Sequence, residues 1–205
     1  MFLGYSDELT LAHATVFAER IRRHLRACGL EAAPVTWQTD NGSEFIGSGQ
    51  AKGPSAFTVA IETAGAAHRT IPVRQHRYQA DVETVHSLME TEFYEIEAFP
   101  DRDHFLRQAA AFNLWFNVAR RNSAKENNTP WELVQEKRPY AAPLLPLLAP
   151  VFLDQLLAKQ LHNPHARWYD VWALPSTLWP CDHVRRSRQS PNPHRPMTVS
   201  VTPPV

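Results

Sequence analysis

The chain has 205 residues, 43% of them hydrophobic and 20% charged, with 21 basic residues set against 21 acidic ones. Such a composition describes a globular protein of one ordinary domain plus appendages, and zero net charge gives no support from bulk charge for a nucleic-acid partner; any basic surface has to come from local clustering. Cys28 and Cys181 have no motif spacing, which excludes a disulfide framework and makes a reducing, cytoplasmic compartment the expectation, while no apolar run reaches transmembrane length.

The chain opens on Phe2-Leu3-Gly4-Tyr5, which reads as a strand without the usual polar lead-in, and Met1 to Tyr5 has no signal-peptide pattern. From Asp7 to Cys28 the pattern is helical. Phe17, Ile21, Leu25 and Cys28 form one apolar stripe, with Glu19, Arg20, Arg22, Arg23 and Arg26 on the other faces. Ser6 or Asp7 is the expected cap, and Gly29 suits the position just past the end. The arginines read as a solvated helix face before they read as a DNA-phosphate surface.

Val35 to Thr39 is rich in β-branched and aromatic residues and stops at Asp40-Asn41-Gly42, so a buried strand is expected to deliver Asp40 at its C-terminal tip. Ile46 to Pro54 is a glycine-rich loop lacking the Gly-Lys-Ser/Thr ending of a phosphate cradle. A short helix is expected over Ser55 to Thr63, and a strand over His68 to Val73 with Pro72 marking its end. In the next helix Val82, Val85, Met89, Phe93 and Ile96 form the core stripe, and Glu83, His86 and Glu90 share one flank of it. Pro100 ends this helix. Another follows over about 102–121 with Phe105, Ala109, Phe112, Phe116 and Ala119 inward, and Thr129-Pro130 starts a short one with cap and first-turn proline in place.

Beyond Lys137 the composition shifts: twelve of the 17 prolines lie from Pro139 onwards, which predicts an irregular, partly disordered appendage over 138–205 with one helix within 151–160. Trp168, Trp172 and Trp179, interleaved with Arg167, Arg185, Arg186 and Arg188, read as a tail packing on the core before they read as a DNA surface. His162 with His165, or Cys181 with His183, matches no strong zinc pattern.

Thr39-Asp40-Asn41-Gly42-Ser43-Glu44-Phe45, followed by the helix bearing Glu83, resembles the catalytic core of DDE-type transposases and retroviral-type integrases. Asn117 to Arg120 and Thr129-Pro130-Trp131-Glu132 resemble the end of that core in bacterial insertion-sequence enzymes, so the likeness covers residues 1–137. It implies an α/β fold of the ribonuclease-H-like kind, a mixed sheet flanked by helices, and metal-dependent cutting and joining of DNA in integration or transposition. It also implies an assembly of several copies acting on transposon ends and target DNA.

Two Mg2+ or Mn2+ ions are the implied cofactors, since hard cations take carboxylate oxygens and a pair of them assists both the attacking and the leaving oxygen in phosphoryl transfer. By the resemblance Asp40 and Glu83 are the catalytic, metal-binding residues, Asn41 and Gly42 shape the turn and contact DNA, and His86 is a further DNA contact, while Glu44 is structural or DNA-facing. The family's first carboxylate, an Asp on the first strand of the sheet, has no counterpart. In that fold the Phe2 to Tyr5 strand is the third, so the first two strands are missing, and Asp7 stands two strands away, about 10 Å too far to ligate. The expectation is an enzyme core impaired on its own; the alternative is an inactive remnant or a regulatory DNA-binding fragment.

Overall fold

A computed structural model describes residues 1–30, 35–47, 53–72, 80–162, 197–198 and 201–202 of the chain. Strand β1, Leu3–Tyr5, is buried throughout and leads to helix α1, Leu11–Ala27. The stripe expected on α1 is the observed one, with Phe17, Ile21, Leu25 and Cys28 all in the core. Its cap is neither Ser6 nor Asp7 but Thr10, whose hydroxyl accepts a bond from the His13 amide. Asp7 instead takes two bonds from the Arg102 guanidinium across the fold. Gly29, with φ 81°, turns the chain out of α1 in the left-handed region, and Leu30 N–H returns to the Leu25 carbonyl.

Strand β2, Thr36–Thr39, is followed by the short helix α2, Ser43–Ile46, and by α3, Ala56–Thr63, which buries Phe57 and Ile61. Strand β3, Ala67–Thr70, runs parallel to β2 with Thr36 opposite Ala67 and Thr39 opposite Thr70. Helix α4, Ala80–Met89, runs into a π-helical turn, Glu90–Tyr94, where Glu95 N–H bonds to the Glu90 carbonyl five residues back. That wider turn breaks the expected stripe. Met89 and Phe93 are buried, whereas Ile96 is 69% exposed because the phase has rotated past the core. Helix α5, Arg102–Val118, buries Phe105, Ala109, Phe112 and Phe116; Ala119 lies just beyond its end and is exposed. Helix α6, Pro130–Lys137, starts with a reciprocal cap: Thr129 Oγ1 accepts from Glu132 N–H and Glu132 Oε2 accepts from Thr129 N–H.

The segment after residue 137 enters the core. Ala141, Leu145 and Leu148 are buried, strand β4 (Val151–Phe152) pairs in parallel with β1, and helix α7 (Leu153–His162) packs on α1. Two two-residue strands complete the sheets. β5, Met197–Thr198, pairs antiparallel with β1, and β6, Val201–Thr202, pairs antiparallel with β2. The architecture is therefore α/β, with two three-stranded sheets ordered β4-β1-β5 and β3-β2-β6 and parallel pairs β1/β4 and β2/β3. β5 and β6 lie along the edges of β1 and β2 opposite β4 and β3.

Two apolar clusters hold this arrangement. One joins α1, β2, α2, α3 and α7 around Phe17, Ile21, Trp37, Phe57 and Leu153; the other joins β1, α4, the π-turn, α5 and β4 around Leu3, Met89, Phe93, Phe105 and Phe152. Gly4 is the seam between β1 and the first cluster: a Cβ placed there would lie 3.0 Å from the Phe17 ring and 3.1 Å from Leu153 Cδ2. Among the described residues no helix is long and apolar enough to cross a membrane.

Candidate active site at the end of strand β2

The stretch Thr36 to Thr39 pairs along its length with β3, and Ile71 N–H continues the ladder to the Thr39 carbonyl, so β2 ends in a held position. Asp40 follows at its carboxyl end, exposed to solvent. Asp40 Oδ1 accepts a bond from Gly42 N–H at 2.9 Å, the closed turn that an Asp two residues before a glycine favours. Asn41 Nδ2 donates to the Ile71 carbonyl at 2.9 Å and ties the turn to the exit of β3. Gly42 then caps α2. Among the described residues no bond engages Asp40 Oδ2, so the carboxylate keeps acceptor capacity facing water.

Beneath this turn lies a hydroxyl–imidazole chain. Thr39 Oγ1 sits 2.9 Å from His68 Nε2, and Thr58 Oγ1 sits 2.8 Å from His68 Nδ1. Thr39 also donates to the Asp40 carbonyl at 3.0 Å, which uses its one proton. With that proton used, Nε2 is the donor to Thr39, and the Nδ1 contact with Thr58 fits the neutral Nε2–H tautomer. Burial lowers the His68 pKa below its usual range, with Glu62 opposing, and favours the same neutral state. Phe57 packs edge-on to the imidazole at 5.0 Å and to Phe45 at 5.3 Å. The sequence marks His68 only as a core or DNA-facing histidine. Its role in holding Asp40 in place depends on a strand pairing between residues 29 positions apart.

Glu83 lies in the first turns of α4 and His86 one turn further, both exposed. The structure seats α4 through Met89 against the second apolar cluster, whereas Trp37 and Phe45, on either side of Asp40, belong to the first. No group of three or more His, Cys, Asp or Glu side chains that could hold a metal ion occurs among the described residues. In donor chemistry the two exposed carboxylates suit a hard, oxygen-seeking cation; in number they are fewer than such a group needs. The Glu44 side chain, most of the glycine-rich loop, His76, His165, Cys181 and His183 lie outside the described residues.

Part of the arginine face of α1 is paired within the helix itself. Glu19 accepts bonds from Arg22 and Arg23, and these bonds hold its carboxyl below the usual range against the opposing effect of burial. Arg20 points inward, 8% exposed, with Nη2 donating to the Ala149 carbonyl at 2.7 Å, and burial lowers its pKa to about 10.

Compared with known proteins, the chain matches no family model, no curated protein and no solved structure.

Proposed function

We propose that this chain is a DDE-type polynucleotidyl transferase core that binds DNA and assists strand cleavage and transfer through divalent metal, with Asp40 and Glu83 as its acidic pair. The observation that carries the reading is the placement of Asp40. It stands exposed at the carboxyl end of β2, in a turn braced by Gly42, Asn41, Thr39 and His68. In open α/β sheets the carboxyl ends of parallel strands are where ligands bind. A carboxylate held by the Gly42 N–H in a braced turn is partly oriented before any ligand arrives. Glu83, exposed near the start of α4, is the second hard donor, and a basic or polar contact from His86 one turn away suits a phosphate backbone. Bound Mg2+ or Mn2+ supplies Lewis acidity at a phosphoryl oxygen and lowers the pKa of coordinated water. The chain's own part is to hold Asp40 in register, to offer Glu83 and to keep the turn closed through Asn41 and Gly42.

A second reading, a regulatory DNA-binding fragment without cleavage, is favoured by one feature. The strands that pair with the remaining edges of β1 and β2 are Met197–Thr198 and Val201–Thr202, and none of these residues is acidic.

Calorimetric titration of Mn2+ into the chain, followed by assay of labelled duplex DNA for nicking and joining, separates the two. Metal binding lost in Asp40→Asn and in Glu83→Gln, with circular dichroism unchanged, is the expected result. DNA binding without metal-dependent cutting supports the second reading. Metal binding and cleavage untouched by either substitution would sink the assignment of both carboxylates.

A further inference from the structure

The turn that presents Asp40 contains an Asn-Gly step, Asn41-Gly42, with Asn41 exposed to solvent. Asparagine is thermolabile, and a following glycine, having no side chain, leaves its own nitrogen open to the asparagine carboxamide. In that reaction the Gly42 nitrogen gives up its proton and bonds to Asn41 Cγ. The Cγ–Nδ2 bond breaks, and the carboxamide nitrogen leaves with that proton as ammonia. Water then opens the five-membered imide. Entry at the side-chain carbonyl gives aspartate; entry at the main-chain carbonyl gives isoaspartate, whose main chain runs through Cβ and Cγ. Water is the single co-reactant.

Both reacting groups are held in the folded chain. Gly42 N–H donates to Asp40 Oδ1 at 2.9 Å, so the nitrogen that has to attack is already engaged. Asn41 Nδ2, the leaving nitrogen, donates to the Ile71 carbonyl at 2.9 Å, which fixes the carboxamide toward the exit of β3. Ile71 is itself buried, with its N–H on the Thr39 carbonyl. Gly42 is tied from the other side, because its carbonyl accepts from Phe45 and Ile46 N–H at the start of α2. Ring closure therefore requires a local opening in which the Asp40–Gly42 and Asn41–Ile71 bonds are broken together.

We propose that Asn41 is a deamidation site kept latent by this turn, and that its conversion unlatches the turn from β3. The product carboxylate carries no N–H, so the bond to the Ile71 carbonyl is lost, and a negative charge then stands beside Asp40 and against a carbonyl oxygen. Isoaspartate also adds an atom to the main chain ahead of Gly42, which draws the Gly42 N–H away from Asp40 Oδ1. The one residue thus acts as a latch while it is an amide and as a release once it is an acid.

The test follows the full chain through incubation in mildly alkaline buffer, folded and in guanidinium chloride. Trypsin cleavage after Arg26 and Lys52 releases residues 27–52, in which Asn41 is the single asparagine, and mass spectrometry reads the exchange of NH2 for OH. The folded chain is expected to react about tenfold or more slowly than the unfolded one, the factor that a hydrogen bond to a charged acceptor supports. Asp40→Ala, with an unchanged circular dichroism spectrum, is expected to recover much of that factor. Gly42→Ala, compatible with the φ of −61° there, slows the reaction in both states and so assigns the mass change to Asn41 rather than to Gln38 or Gln50. Equal rates in the folded and unfolded chain, or a folded rate that Asp40→Ala leaves unchanged, overturns the latent site. If Asp40→Ala alters the spectrum, Asp40→Asn replaces it, with fragment ions locating the change; it keeps the shape and loses the charge, and an unaltered folded rate there counts equally against the proposal. Asn41→Asp stands for the aspartate product. Hydrogen exchange of the Gly42 and Ile71 amides is expected to be several-fold faster in that variant than in the parent, and unchanged exchange refutes the unlatching.

Discussion

Replacing Gly4 by alanine tests the seam between the two apolar clusters. The backbone of Gly4 lies outside the left-handed region, so alanine meets no conformational barrier, and only space decides. A methyl group would sit 3.0 Å from both Cδ2 and Cε2 of Phe17 and 3.1 Å from Leu153 Cδ2. Phe17 and Leu153 are both fully buried, so neither ring nor isobutyl group has room to swing aside. Overpacking of this kind costs about 1–3 kcal/mol, and the reduced freedom of the unfolded chain returns about 0.4–1 kcal/mol. A net loss of roughly 1–2 kcal/mol follows, which for a chain of this length lowers Tm by about 2–8 °C. Urea unfolding followed by tryptophan fluorescence, with calorimetry alongside, measures it: the midpoint moves down while the slope stays constant. Combining Gly4→Ala with Phe17→Leu provides space for the methyl group, so the pair is expected to cost less than the sum of the single changes. A Gly4→Ala chain as stable as the parent, or additive behaviour with Phe17→Leu, would refute the packing seen around β1.

Two further outcomes follow from buried polar groups. His24 and His68 both have their pKa lowered by burial below the unfolded value of about 6.5, so the folded state resists protonation. Their share of stability is complete above about pH 6.5 and is lost as pH falls through the lowered folded values. Urea midpoints at descending pH from 7.5 should drop across this window, with a shallower drop in His68→Gln; a profile unchanged by that substitution contradicts the Thr39–His68–Thr58 chain. Thr129 is 2% exposed and caps α6, so Thr129→Ala should cost about 1–2 kcal/mol in thermal unfolding while Thr129→Ser retains most of it. Equal losses for alanine and serine would mean that the hydroxyl is not what holds the helix start.

What could be read in advance was local. The α1 and α5 stripes, the Thr129-Pro130 helix start, the Gly29 exit and the Asp40-Asn41-Gly42 turn each depend on residues within a few positions of one another. Helical periodicity and turn chemistry act over that range, and those features stand in the structure as the residues imply, save that the α5 stripe stops at Phe116 and leaves Ala119 exposed past the helix end. The start of α1 shows the margin of such reading: Ser6, Asp7 and Thr10 all precede it, the helix begins at Leu11 so that Thr10 is the cap, and Asp7 pairs with Arg102, 95 residues on. Of the candidate site, the positions of Asp40 just past a strand and Glu83 near a helix start were legible in the residues around them. His68 was not, because its partners Thr39 and Thr58 lie 29 and 10 residues away and only the pairing of β2 with β3 and the packing of α3 bring them to it.

The amino-acid sequence by itself determined where most helices and strands lie, which faces of them are apolar and where Asp40 is presented. Tertiary structure alone decided the rest. It turned Arg20 inward onto Ala149, 129 residues away, laid β4 and α7 against β1 and α1, and paired Met197–Thr198 with β1 and Val201–Thr202 with β2. It also placed a π-turn that rotates Ile96 out of the core stripe. Each of these joins groups far apart in the chain, where main-chain pairing and apolar burial depend on the assembled surface and leave no periodic mark in the residues themselves.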